Sequence, residues 1–302
     1  MDLVSILYTI LIPVLLILIM VGLGLSLTLA DLKRVVFFPK AAAIGISGQL
    51  ILLPLLAFVL AFFLAPSPEV AVGAIILAAC PGGVTSNAYV FAARADVALS
   101  VTLTAVVSFV TVFTIPLLTY VSLLFFFQEG AIPDLPVLRM FRTLALLTVV
   151  PISGGMIFRM VWPVLAQKMV ETVRRVAVIA LTLLIATAAA SSYEVILDNV
   201  LQAGLLVIAL NLLSMGMGFG IARVFKLTTS QAVTITYEIG VQNISLALLV
   251  TLTLLDNPAF AITSLLYAVI MPITALGFIS IARTMLARAE ARENVEVPGG
   301  AV

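Results

Sequence analysis

The sequence predicts an all-α polytopic membrane protein of nine transmembrane helices, built as an inverted repeat. Three observations carry that prediction. Of 302 residues, 63% are hydrophobic and only 10% charged, with a mean hydropathy of +1.30; a soluble core of this size needs more charge for its surface. Apolar runs of roughly 20 residues, the length that crosses ~30 Å of hydrocarbon, recur along the chain. Two of these runs are interrupted by Gly, Pro and polar residues at matching places in the two halves.

Taken in order, span A (about 5–28) lacks a basic leading region and an A-x-A cleavage site, so it reads as a retained helix and not a signal peptide. Span B (41–64) carries Gln49 between GISG and LILLPLL. Span C (69–93) contains CPGGVTSN, where Pro81 lacks a backbone donor and Gly82–Gly83 favour an unwound turn. In span D (97–127), Ser100, Thr104 and Ser108 fall at i, i+4 and i+8, one polar stripe on an apolar helix. Span E (137–160) has no counterpart in the first half. Spans F (173–192) and G (197–224) follow, with Gly216 and Gly220 of G spaced as a G-x-x-x-G packing motif. Span H (229–254) contains EIGVQN, with Gly240 between a carboxylate and two amides, and span I (259–287) closes the set. Pro54, Pro116 and Pro272 are candidate kinks, and Phe125–Phe127 and Trp162 candidate interface anchors.

Aligning A–D with F–I makes the interrupted spans C and H partners, with A and F entering from opposite sides. The expected organisation is one integral membrane domain over 1–302, with a first repeat over 5–127, a second over 137–287 and a disordered tail over 289–302. The linkers, among them ADLKRVVFFPK, QEGAIPDLP, the Lys168–Arg175 stretch and SSYEVILDN, are short and polar. With the N-terminus outside, Lys33, Arg34, Lys40, Arg94, Arg159, Lys168, Arg174, Arg175, Arg223, Lys226, Arg283, Arg288 and Arg292 fall inside, and only Arg139 and Arg142 outside. Thirteen against two is a positive-inside bias that predicts an external N-terminus and a cytoplasmic C-terminus in the cell (inner) membrane.

Glu238 is the only acidic side chain deep inside an apolar run. A charge at bilayer depth costs roughly 2.5–3.5 kcal/mol on insertion scales and usually faces an ion or substrate path. No Lys or Arg sits at comparable depth to pair with it. Unwinding a helix in mid-membrane frees carbonyls for cations and amide N–H groups for anions. Around the break in C stand Thr85, Ser86 and Asn87; around that in H stand Glu238, Gln242, Asn243 and carbonyls near Ile239 and Val241. Ser100, Thr104 and Gln49 complete an oxygen-rich set suited to a hard cation. Each residue alone also has a structural reading: hydroxyls bond their own i−4 carbonyl, and amides act as interhelical glue. The single Cys80 and the absence of His remove intrachain disulfides, Cys clusters and His-based catalysis. No basic tract suggests nucleic acid, and no catalytic residue is assigned.

The stretch CPGGVTSNAYVFAARADVALSVTLT resembles the signature of the bile acid:sodium symporter family, C-P-G-G-x-x-S-N followed by A-x-x-A-R/K-x-D/N-x-A-L-S. YEIGVQNISLA resembles the second signature, E-x-G-x-Q-N. The resemblance runs over nearly the whole chain in span order. It implies a panel domain beside a core domain whose two broken helices cross at the bilayer midplane. It also implies two Na⁺ as coupling ions. One site would use Ser86, Asn87, Ser100, Thr104 and Glu238; the other Gln49, Glu238, Gln242 and backbone oxygens of Ile239 and Val241. The cargo would lie at Gly83, Val84, Thr85 and Asn243. Many members have ten spans, and this chain resembles the nine-span members. Val84 stands where other members carry Thr or Asn, which implies a lost polar contact and a different cargo.

The function so implied is a sodium-coupled symporter importing an organic anion by alternating access. A small carboxylate such as a pantoate-like or 2-oxo acid is the favoured cargo, with bile acids secondary. Within transport, a proton-coupled organic acid carrier and a metalloid exporter using Cys80 stay open; outside it, a membrane sensor or receptor does. The expected partners are the organic anion and the lipid bilayer, with no nucleic acid and no obligate protein partner.

Overall fold

The computed structural model describes residues 10–37, 39–127, 137–191 and 193–296. Among them the chain is helical throughout, apart from connections and one isolated β-bridge. The helices are α1 (Ile12–Ser26), α2 (Leu29–Phe37), α3 (Pro39–Ser47), α4 (Leu53–Leu64), α5 (Pro68–Ala79), α6 (Val84–Ala93) and α7 (Val97–Phe126). They continue as α8 (Val137–Leu144), α9 (Val150–Val161), α10 (Pro163–Ser191), α11 (Tyr193–Val224), α12 (Thr229–Gly240), α13 (Ile244–Leu248) and α14 (Pro258–Glu296). Five of the described helical stretches are long and apolar enough to cross a membrane. This is a multi-pass membrane protein.

Local sequence explains where the helices start, widen and stop. Asp96 caps α7 by accepting from the Leu99 N–H at 3.0 Å, and Thr228 with Gln231 forms a capping box at α12. π-helical turns join α3 to α4 (Gly48–Leu52), join α8 to α9 (Ala145–Val149) and follow α13 (Leu249–Leu254). The first two lie just before Pro54 and Pro151, whose rings would collide with the carbonyl four residues back in a regular helix. Pro116 and Pro272, in contrast, sit inside uninterrupted helices.

The two interruptions are real breaks. Between α5 and α6, Cys80–Gly83 is extended, and between α12 and α13 Val241–Asn243 leaves the helix. The breaks meet: Gly82 and Gln242 form an antiparallel bridge, and the Asn243 N–H donates to the Pro81 carbonyl at 3.0 Å. Around them α7 packs on α5, α6 and α12, α14 packs on α5, α6, α12 and α13, and α11 backs α12. A second group, α1 with α9 and α10, lies to one side. Gly24 of α1 and Gly155 of α9 let two backbones touch, since a Cβ on Gly155 would lie 2.6 Å from the Val21 carbonyl.

Three expectations are corrected. The span expected at 173–192 begins at Pro163, running helical through the Lys168–Arg175 stretch, where Glu171 and Arg175 pair at 2.9 Å one turn apart. The last helix runs to Glu296, through much of the stretch expected to be disordered, because AEARENVE is rich in helix formers. Among the described residues a Cβ at Gly216 or Gly220 would meet nothing within 4 Å, whereas a Cβ at Gly218 between them would lie 3.0 Å from the Ile235 carbonyl of α12. The segment QEGAIPDLP lies outside the described residues.

Gly73 of α5 packs directly against the Phe260 carbonyl of α14. Gly73→Val is expected to cost about 1–3 kcal/mol by overpacking, seen as a lowered Tm in detergent. An unchanged Tm would show that α5 and α14 are less tightly apposed than described.

Candidate functional site

Glu238 lies on the last turn of α12 and is fully buried. Among the described residues its carboxylate is bonded only by hydroxyls: Ser86 Oγ at 3.0 Å and Ser100 Oγ at 3.1 Å reach Oε2, and Thr104 Oγ1 donates to Oε1. Gly82 makes the approach possible, since a Cβ there would lie 2.7 Å from the Glu238 carboxyl carbon. The carboxylate therefore rests on the bare backbone of the opposite break.

The hydrogen count at Oε2 is short. Ser86 has one hydroxyl proton and a nearer acceptor, the Gly83 carbonyl at 2.6 Å. Ser100 likewise has one proton and a nearer acceptor, Asn87 Oδ1 at 2.6 Å. When those protons go to their nearer partners, the lone pairs of both hydroxyls and of Oε2 are left facing one another. Such an arrangement is repulsive without a cation and favourable with one. Ser86, Asn87, Ser100, Thr104 and Glu238 thus form one connected set of oxygens.

A second set lies on the other side of the break. Gln49, projected by the π turn before Pro54, donates from Nε2 to the Cys80 carbonyl at 2.7 Å and to Gln242 Oε1 at 3.0 Å. Gln242 Nε2 donates to the Ile239 carbonyl at 2.7 Å. Among the described residues Gln49 Oε1 is buried without a hydrogen-bond partner, an orphan acceptor with the chemistry of a cation ligand. Val241 sits fully buried in the same break. The donor set fits a hard monovalent ion: all oxygens, one formal charge, two amides and two backbone positions.

Half-helix N-termini border both sets. Gly83 and Asn243 are the N-caps of α6 and α13. Asn243 Oδ1 accepts from the Leu246 N–H at 3.1 Å, and its buried Nδ2 has no partner among the described residues. Thr85, half-buried, opens α6 next to Gly83. The Val84 side chain lies outside the described residues. Ser108 does not join the site; its hydroxyl returns to the Thr104 carbonyl at 2.6 Å, the back-bonded arrangement common for Ser in membrane helices. Cys80 turns its sulfur to the Ile76 carbonyl at 3.2 Å and is fully buried.

Sequence reasoning missed a third polar group. Asn211 of α11 and Tyr267 of α14, both fully buried, converge on the Gly240 carbonyl at the end of α12. Asn211 was visible as an amide in the middle of the run LLVIALNLLSM. Tyr267 in SLLYAVI carries no such signal.

A family model described as "Sodium Bile acid symporter family" matches residues 13–199. The Bacillus subtilis (strain 168) protein named "Uncharacterized sodium-dependent transporter YocS" is 31% identical over 79% of this chain and 72% of its own length. The rice protein named "Probable sodium/metabolite cotransporter BASS1, chloroplastic" is 30% identical over 78% of this chain and 57% of its own. The rabbit "Ileal sodium/bile acid cotransporter" is 30% identical over 69% of this chain and 59% of its own. The chain thus matches little more than half the length of the rice and rabbit proteins.

Proposed function

The chain belongs to the sodium bile acid symporter family, a family of transporters and not of enzymes, and on that premise we propose that it is a sodium-coupled secondary symporter importing an organic anion by alternating access. The observation that carries the proposal is Glu238: a fully buried carboxylate with only hydroxyl partners, held where two broken helices meet. An anion in that position is stabilised by alkali cations.

The oxygens divide into two Na⁺ sites. Ser86, Asn87, Ser100, Thr104 and Glu238 hold one ion; Gln49, Glu238, Gln242 and the carbonyls of Ile239 and Val241 hold the other. The anionic cargo sits at Gly83, Val84, Thr85 and Asn243, where the half-helix N-termini of α6 and α13 converge. Asn243 Nδ2 supports this, being a buried donor without a partner among the described residues. Before Na⁺ binds, Glu238 repels an organic anion. With two Na⁺ bound the site carries +1, and a monoanion neutralises it. Cation and cargo are thereby obligatory partners, and each cycle moves one net charge, worth about 2.3 kcal/mol per 100 mV.

The architecture behind this reading is nine spans in an inverted repeat. Exchanging A, B, C and D for F, G, H and I turns the contact of α5 with α14 into that of α12 with α7, and the contact of α4 with α5 into that of α11 with α12; all four contacts are present. The N-terminus lies outside and the C-terminus in the cytoplasm, in the inner membrane. On that orientation α1 packs against the outer half-helix α13 and its π turn. A small carboxylate, of pantoate-like or 2-oxo acid type, is the proposed cargo. The buried, internally bonded Cys80 sulfur does not favour metalloid export.

Reconstitution tests the reading. Purified protein is first screened for carboxylates whose thermal stabilisation requires Na⁺, and hits are then assayed for uptake into proteoliposomes. Uptake is expected to need an inward Na⁺ gradient and to rise with an inside-negative potential. Undiminished uptake after replacing Na⁺ by K⁺, or uptake driven by a pH gradient alone, would overturn it.

A further inference from the structure

We infer that Asn211 and Tyr267 are positioning residues for the cation site: by saturating the Gly240 carbonyl they decide which backbone oxygens of the α12 break remain for an ion. The inference rests on the sodium-coupled reading above but concerns residues outside both proposed ligand sets.

The last carbonyls of a helix have no partner within it, and here that end is buried. Their fates differ. Tyr237 accepts from the Val241 N–H at 2.9 Å. The Gly240 carbonyl receives Asn211 Nδ2 at 3.1 Å and the Tyr267 hydroxyl at 2.8 Å, so both of its lone pairs are used. The two donors are themselves 3.0 Å apart, and Thr274 Oγ1 donates to Asn211 Oδ1 at 2.6 Å, which fixes the amide with its nitrogen toward Gly240. Two side chains, one from α11 and one from α14, thus converge on one peptide group of α12, and a third orients the amide.

By contrast, the Ile239 carbonyl is bonded by the amide of Gln242, three residues along the same chain. Only that one donor has to move aside for the oxygen to face a cation. The Gly240 carbonyl cannot do so without abandoning two donors. The consequence is geometric. Glu238 and Gln242 flank Gly240, so anchoring this peptide plane sets where the carboxylate and the Ile239 oxygen point. Ligand sets work only when held to within about 0.5 Å. Without the anchor, three backbone oxygens compete for the ion and the ring they form widens.

The test is a cation titration of thermal stability for the purified full chain, at constant ionic strength with choline as replacement and no organic anion. Tyr267→Phe removes one oxygen at nearly constant volume; Asn211→Leu removes the amide; Thr274→Val removes only the group that orients it. The expected result is a Na⁺ midpoint raised at least five-fold in Tyr267→Phe and Asn211→Leu, and less in Thr274→Val. The ratio of Li⁺ to Na⁺ midpoints is expected to change as well, which a merely structural bond would not cause. If the variants lose stability in choline but keep the wild-type Na⁺ midpoint and the wild-type Li⁺/Na⁺ ratio, the inference is wrong and the sodium reading stands. A wild-type protein indifferent to Na⁺ would instead remove the sodium reading itself. Should Asn211→Leu fail to fold, Tyr267→Phe alone decides the comparison.

Discussion

Glu238→Gln is expected to abolish Na⁺-dependent stabilisation and Na⁺-driven uptake while leaving a folded protein. The substitution keeps shape and one acceptor oxygen but removes the charge. A unit charge ~4 Å from a monovalent ion contributes about 4 kcal/mol at an effective dielectric of 20, close to three decades of affinity. The fold survives because the neighbouring hydroxyls already have other acceptors, Gly83 O for Ser86 and Asn87 Oδ1 for Ser100. In the absence of Na⁺ the variant should be no less stable than the wild type, since a buried anion without a countercharge has been removed. Thermal unfolding with and without Na⁺ measures both effects in one experiment. A Glu238→Gln variant that kept the wild-type Na⁺ response would place the ions somewhere else.

Gly82→Ala should come close to the same loss by another route. Its Cβ would lie 2.7 Å from the Glu238 carboxyl carbon and 3.2 Å from the Glu238 carbonyl. One contact presses on the side chain and the other on the backbone of the opposite break. The carboxylate must withdraw or the two breaks must part, at about 1–3 kcal/mol for such overpacking. A ten- to hundred-fold rise in the Na⁺ midpoint is expected. Because the clash is specific, shortening the carboxylate should relieve part of it. In a double-mutant cycle, Gly82→Ala with Glu238→Asp is expected to be less impaired than the sum of the two changes. Strict additivity would mean that the two residues do not touch.

Much of this arrangement was legible in the sequence, for identifiable reasons. Proline without a donor next to paired glycines stops a helix in any surroundings, so the break at Cys80–Gly83 could be read locally. A carboxylate in an apolar run has so few tolerable environments that Glu238 announced the second break. Gln49, Ser86, Asn87, Ser100, Thr104 and Gln242 stand out as oxygen-bearing side chains in apolar runs, and Ser86, Ser100 and Thr104 are the ones that reach the Glu238 carboxylate. What stayed hidden depends on facing. Spacing showed that Ser108 shares a stripe with Ser100 and Thr104, but not that its hydroxyl turns back to Thr104. It showed that Gly216 and Gly220 align, but not that Gly218 is the one at the interface. Tyr267 was invisible because its hydroxyl matters only through a carbonyl 27 residues away. The Lys168–Arg175 stretch reads as a linker by its polarity, yet charges one turn apart, Glu171 and Arg175, also support a helix, and α10 starts at Pro163.

The glycine contact between α1 and α9 bears on how such a molecule moves. With Gly24 and Gly155 in backbone contact, these two helices interlock like the teeth of a gear and cannot slide along each other without collision. On the alternating-access reading proposed above, a shift that uncovers the buried oxygens would carry the pair as one stiff lever, hinged where the two helices end at Leu27 and Trp162. Bulkier residues at 24 or 155 would loosen the lever and leave the cation chemistry intact, separating the machinery that moves from the machinery that binds.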